Sequence, residues 1–81
     1  MNYISILENL IRPLLVHQDD LRIMEFPSDN DAALFQVMVN QDDLGRIIGR
    51  QGSVANAIRT IAYAASSVEG TRLKINFDKY E

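Results

Sequence analysis

The residues best equipped for chemistry are Gly45-Arg46-Ile47-Ile48-Gly49-Arg50-Gln51-Gly52. Gly49 and Gly52 enclose a cation, Arg50, and an amide, Gln51, and follow the apolar pair Ile47-Ile48. Glycine takes backbone angles closed to other residues and, lacking a side chain, lets a phosphate come against the main chain. A periodic run begins at Ser53, so the free N–H groups and positive end of a second helix point at the same spot. Gln51 both donates and accepts hydrogen bonds. The pattern predicts a clamp on a sugar-phosphate segment, with bases lying in an apolar groove. Ile47, Val54 and the edge of the second strand are the expected groove wall, with Ile48 in the core. Arg46 and Arg59 flank the clamp as candidate phosphate contacts, against the alternative of ordinary surface charge. A tight helix–helix turn with no ligand is the competing reading of the two glycines.

Other chemistries fit poorly. A Walker loop requires Gly-Lys-Ser/Thr, which is absent, and Gly45 and Gly49 are too far apart to start a dinucleotide fingerprint. His17 stands without a serine–acid pair and reads as a surface or capping residue. Asp19-Asp20 and Asp42-Asp43 suit loop and helix-start roles better than a metal site. With no nucleophile–base pair, ligand cluster or cofactor loop, the reading is a non-enzyme with no metal and no cofactor.

The chain of 81 residues carries no cysteine and a net charge of −3. One small domain over residues 1–81 is expected, burying only ~60–65% of its unfolded surface. Neither a secretory signal nor a run of ~20 apolar residues is present, so a cytoplasmic location away from membranes is expected. The charge is unevenly placed. Residues 1–43 hold two arginines against eight acids, whereas residues 44–77 hold four arginines and a lysine against Glu69 alone. The basic half contains the glycine turn, as a local phosphate footprint on an acidic protein would require.

The elements that position the turn follow from periodicity. Residues 2–16 read as a helix with Ile4, Leu7, Ile11, Leu14 and Leu15 on one face, widened by Tyr3 and Leu10. Asn2, or Ser5 with Glu8, would cap it, and Pro13 must kink it or end it early. Residues 21–26 and 34–39 alternate as the strands of a hairpin around a turn cluster at 27–31, with Phe35, Val37 and Val39 on one face. Asn40 starts a short helix that stops at Gly49. Val54, Ala57, Ile58, Ile61, Ala62, Ala65 and Val68 predict an amphipathic helix from 53 to about 67, with Ser53 as its cap and Gly70 as its stop. Its other face, Asn56, Thr60, Tyr63 and Ala64, is small and uncharged and suits a partner helix. Residues 71–77 alternate strictly, Leu73, Ile75 and Phe77 inward and Arg72, Lys74 and Asn76 outward. The order is α-β-β-α-α-β, an α+β class.

Leu44-Gly45-Arg46-Ile47-Ile48-Gly49-Arg50-Gln51-Gly52 followed by Ala57-Ile58-Arg59 resembles the KH signature, and the element order is similar to the type II, bacterial form. The whole chain resembles KhpA, the small bacterial KH-domain family. The resemblance implies a three-stranded mixed sheet packed on three helices, and sequence-tolerant binding of single-stranded RNA. It implies a homodimer, or a heterodimer with a larger KH protein such as KhpB (also called Jag or EloR). Roles in post-transcriptional control or RNA chaperoning, cell shape and cell division would follow. Gln51 and Ser53 stand where further basic residues would strengthen a clamp. Few phosphate contacts leave a small electrostatic affinity that falls with salt. The alternative is therefore an interaction subunit that pairs with the larger protein and binds RNA weakly alone.

Overall fold

The computed structural model describes residues 2–27 and 32–80. Helix α1 spans Tyr3–Ile11 and is capped by Asn2, whose side chain accepts the Ser5 N–H at 3.1 Å. Of the two expected caps, the structure uses the asparagine. Pro13 ends the α-helix early, as its missing N–H requires, and Arg12–Leu14 continues as a 3₁₀ turn. That tightening keeps Leu15 in the core but leaves Leu14 exposed, contrary to the expected continuous face.

Strands β1 (Arg22–Pro27) and β2 (Ala32–Val39) pair antiparallel, and β3 (Arg72–Lys79) pairs parallel to β2. The sheet is therefore mixed, in the order β1-β2-β3. The hairpin turn expected at 27–31 lies, beyond Pro27, outside the described residues. A 3₁₀ turn, Gln41–Asp43, leads into the short α2 (Leu44–Ile48), and α3 runs from Ser53 to Glu69.

All three helices cover one face of the sheet. Leu7, Ile11 and Leu15 meet Phe35, Val37 and Val39 from β2 and Leu73 and Ile75 from β3, with Ile47 and Ile58 closing the core. Tyr3 packs edge-on to Phe35, with ring centroids 6.2 Å apart, and its hydroxyl donates to Glu69 at the far end of α3. That bond holds the Glu69 carboxyl below its ordinary range. The face of α3 turned inward is Ala55, Ile58, Ala62 and Ser66, so the helix sits rotated from the expected stripe. Ile61 and Val68, expected inward, are 51% and 85% exposed. Ser66 is tolerated inside because its hydroxyl donates to the Tyr63 carbonyl at 3.1 Å.

Candidate nucleic-acid interface

Helix α2 is brought to a fixed place by one side chain. Asp43 is fully buried. Its Oδ1 accepts the Val16 N–H at 3.0 Å and an Arg46 N–H at 3.1 Å, and its Oδ2 accepts the His17 N–H at 2.8 Å. The carboxylate thus stitches the segment after α1 to the start of α2, leaving none of its own acceptors stranded. Burial works to raise its pKa. The two backbone N–H groups, with the charges of His17 and Arg46, outweigh that and hold it below the ordinary value. Its neighbour Asp42 stays exposed, 3.4 Å from His17 Nε2. The sequence reading treats the two aspartates alike and so misses Asp43; the only local sign was an arginine three residues on.

The same geometry exchanges the two isoleucines. Ile47 lies one turn beyond Asp43 on the inward face and is fully buried, whereas Ile48, rotated about 100° further, is half-buried. Ile47 therefore belongs to the core and not to the groove wall, and Ile48 is the more accessible of the pair.

After α2 the chain turns sharply. The Gly49 N–H closes the helix on the Gly45 carbonyl at 2.9 Å, and Gly49 takes φ +74°, ψ 176°, a conformation nearly confined to glycine. Space demands glycine as well, because a Cβ here would lie 2.5 Å from Val54 Cγ2 and 2.8 Å from the Val54 nitrogen. Arg50–Gly52 forms a 3₁₀ turn in which Gln51, a residue with a side chain, is left-handed at φ +57°. Arg50 and Gln51 are exposed, and no hydrogen bond or ion pair holds either side chain among the described residues. Gly52 precedes α3 and no side chain caps the helix. Ser53 is the first helical residue, not the expected cap, and its own N–H is taken by the Arg50 carbonyl. The turn therefore joins a free cation and a free amide to an uncapped positive helix end.

The remaining site residues divide. Val54 is half-buried over Gly49, beside the turn. Arg46 is half-exposed, but its guanidinium is bound to the Asp42 carbonyl at 2.6 Å and to Asp43. Arg59, about 9 Å along the helix from Ser53, is half-buried and committed to β3. Its Nε donates to the Ile75 carbonyl at 3.1 Å, another N–H reaches Asn56 at 3.2 Å, and the guanidinium sits 5.1 Å from the Phe77 ring centre. Arg59 is thus part of the surface beside the turn, not a free phosphate ligand. The strand edge is also reassigned. β2 lies between its neighbours and has no open edge, so the strand bordering α2 and α3 with a free edge is β3.

Asn56, Thr60, Tyr63 and Ala64 are all exposed on α3. Beside them Ala57, Ile61, Ala64 and Val68 recur at i, i+4, i+7 and i+11, an apolar stripe facing solvent. No helix among the described residues is long and apolar enough to cross a membrane, and no group of three or more metal-ligating side chains converges among them.

Residues 5–77 match the family model described as KhpA/KhpB, KH domain. The chain is 35% identical over 68 residues to the RNA-binding protein KhpA of Listeria monocytogenes, covering 83% of this chain and 87% of the relative. It is 34% identical over 77 residues to the RNA-binding protein KhpA of Bacillus subtilis, covering 95% and 91%. Among solved structures it superposes on Era in complex with MgGDPNP and nucleotides 1506–1542 of 16S ribosomal RNA, with a TM-score of 0.64 and 14% identity. That match covers 95% of this chain and only 29% of Era, so the likeness is one of fold. The fold is a type II KH domain, α+β with a three-stranded mixed sheet on three helices.

Proposed function

The chain belongs to the KhpA/KhpB KH-domain family, and from that premise we propose that it binds single-stranded RNA through Gly49–Gly52. The observation that carries the reading is the turn itself. Gln51 holds a left-handed backbone angle unfavourable for a residue with a side chain, yet Arg50 and Gln51 make no contact that the fold needs. Conformational cost without a structural return marks a functional segment. Arg50 and the uncapped positive end of α3 take the phosphodiester, while Val54, Ile48 and the Arg59–Phe77 pair offer the surface on which bases lie. Relatives named as RNA-binding proteins support the ligand class and a non-enzymatic role. The protein acts in the cytoplasm as a single KH domain over 1–81, a post-transcriptional regulator or RNA chaperone with a part in cell shape and division. Titrating isotopically labelled protein with a short unstructured RNA tests this by NMR. Amide shifts should concentrate at residues 48–56 and along β3; shifts confined to other surfaces would contradict the reading.

A second reading is favoured by α3. Its solvent face carries no charge from Asn56 to Val68 apart from Arg59, which is occupied on the opposite side by β3. We assign Asn56, Thr60, Tyr63 and Ala64, together with Ile61 and Val68, to pairing with a second copy or with a larger KhpB/Jag-like protein. Pairing places two weak clamps on one particle and raises affinity through effective concentration. Light scattering on Ile61→Glu/Val68→Glu should show a dimer reduced to a monomer; a wild type that is monomeric at high concentration would remove the homodimer.

A further inference from the structure

The face of the sheet turned away from the helices is uncovered among the described residues, and its composition is unlike the rest of this acidic chain. Strand pairing sets side chains across it in rows. Phe26, Leu34 and Lys74 form one row, and Met24, Gln36 and Asn76 form the next. Phe26 is 46% exposed although it is a large aromatic in a small protein. Lys74 and Asn76 are exposed and unpartnered, as is Arg72 one step along the same edge. Gln36 has only a weak contact to the Met38 sulfur at 3.6 Å. The charges facing outward are Arg22, Arg72 and Lys74 against Asp78, a positive balance on a protein of net charge −3.

We propose that this open sheet face is a second contact surface for single-stranded RNA, engaged by strands longer than the Gly49–Gly52 clamp can span. The inference takes its ligand class from the proposed function but uses different residues. Cations lie along β3 and the aromatic lies on β1, with amides and thioethers between them. A backbone tracking Arg72 and Lys74 would therefore lay its bases across Gln36 and Leu34 toward Phe26. A sheet that stacks bases on aromatics and pairs phosphates at its margin is an established means of holding unpaired RNA. Two copies paired symmetrically through this face would set Arg72 and Lys74 against the same cations, so the patch suits a polyanion better than its own copy. β3 borders both surfaces, so one strand of RNA can leave the clamp and continue round that edge.

The test compares fluorescence anisotropy for an RNA of about 5 nucleotides, near the roughly four that one clamp spans, with one of about 15 nucleotides. Wild type should bind the longer RNA more tightly. Phe26→Ala and Lys74→Glu should each weaken the longer RNA by about tenfold and leave the shorter unchanged. Lys74 is exposed and unpartnered, so its variant decides the matter should Phe26→Ala fail to fold. Equal wild-type affinity for both lengths would overturn this inference while leaving the clamp intact. Variants that bind the longer RNA like wild type would also overturn it, more so if light scattering showed a changed mass, which would make the face a protein contact. Failure of wild type to bind either RNA would remove the clamp reading, and this one with it.

Discussion

The two ends of α3 are both closed by left-handed glycines, yet they are built differently. At the C-terminus Gly70 sits at φ +73°, its N–H bonds back to the last turn, and the Thr71 N–H reaches the Ser66 carbonyl at 3.0 Å. Carbonyls left over by the helix are thereby satisfied, and a Cβ at Gly70 would meet nothing within 4 Å. At the N-terminus the turn from Gly49 to Gly52 is crowded, contains a left-handed glutamine, and leaves the helix uncapped. One end spends its glycine on finishing a helix. The other combines strain at Gln51, an end without a side-chain cap and an unpartnered arginine, none of which a helix start needs. Similar backbone angles thus serve structure at one end and, on the proposed function, ligand binding at the other, and what separates them is whether the local groups are already satisfied.

The comparison breaks most severely at Gly49. Gly49→Ala adds a Cβ against both the side chain and backbone of Val54 in an unfavourable conformation. It should cost about 3–5 kcal/mol by urea denaturation, enough to unfold much of a small domain. Next comes Asp43→Ala, which removes the carboxylate that fixes α2 and should cost about 2–4 kcal/mol. This residue also gives a pH signature. A carboxyl whose folded pKa lies below the ordinary 3.8 stabilises the fold above that value and loses the contribution as pH falls through the folded pKa. Wild type should therefore lose stability below about pH 4, and Asp43→Asn should show a shallower acid limb in thermal melts.

Gly70→Ala sharpens the contrast with Gly49. Only the backbone angle is penalised there, so a loss of about 1 kcal/mol is expected, with RNA binding retained. The smallest effect should have the opposite sign. Gln51→Gly relieves a left-handed non-glycine residue and should raise stability by about 0.5 kcal/mol. If the amide contacts RNA, the same variant should bind more weakly in anisotropy. A variant at once more stable and equally competent would show that the strain at Gln51 serves nothing.

Much of this was legible in the sequence. Strict alternation at residues 72–77 and the run Phe35, Val37, Val39 specify which face of each strand is buried, since a strand has only two faces. Pro13 marks the end of α1, and the Gly-x-x-Gly spacing locates the turn. Helical faces were less certain, because several adjacent stripes of α3 are apolar. Val54, Ile61 and Val68 compete with Ala55, Ala62 and Ser66, and only packing against the sheet selects the smaller residues for the close contact. The same ambiguity exchanged Ile47 with Ile48. Asp43 was hidden for another reason. Apart from Arg46, its partners are backbone groups 26 and 27 residues away, and no local pattern announces those. The parallel placement of β3, which leaves β2 without a free edge, likewise depends on long-range pairing.

The most direct test of the clamp is fluorescence anisotropy of a short labelled single-stranded RNA across a salt series, comparing wild type with Arg50→Asp/Gln51→Asp of verified fold. Salt-sensitive binding by wild type, lost in the double variant, is the predicted result. Undiminished binding by a folded double variant would contradict it and move the RNA site away from Gly49–Gly52.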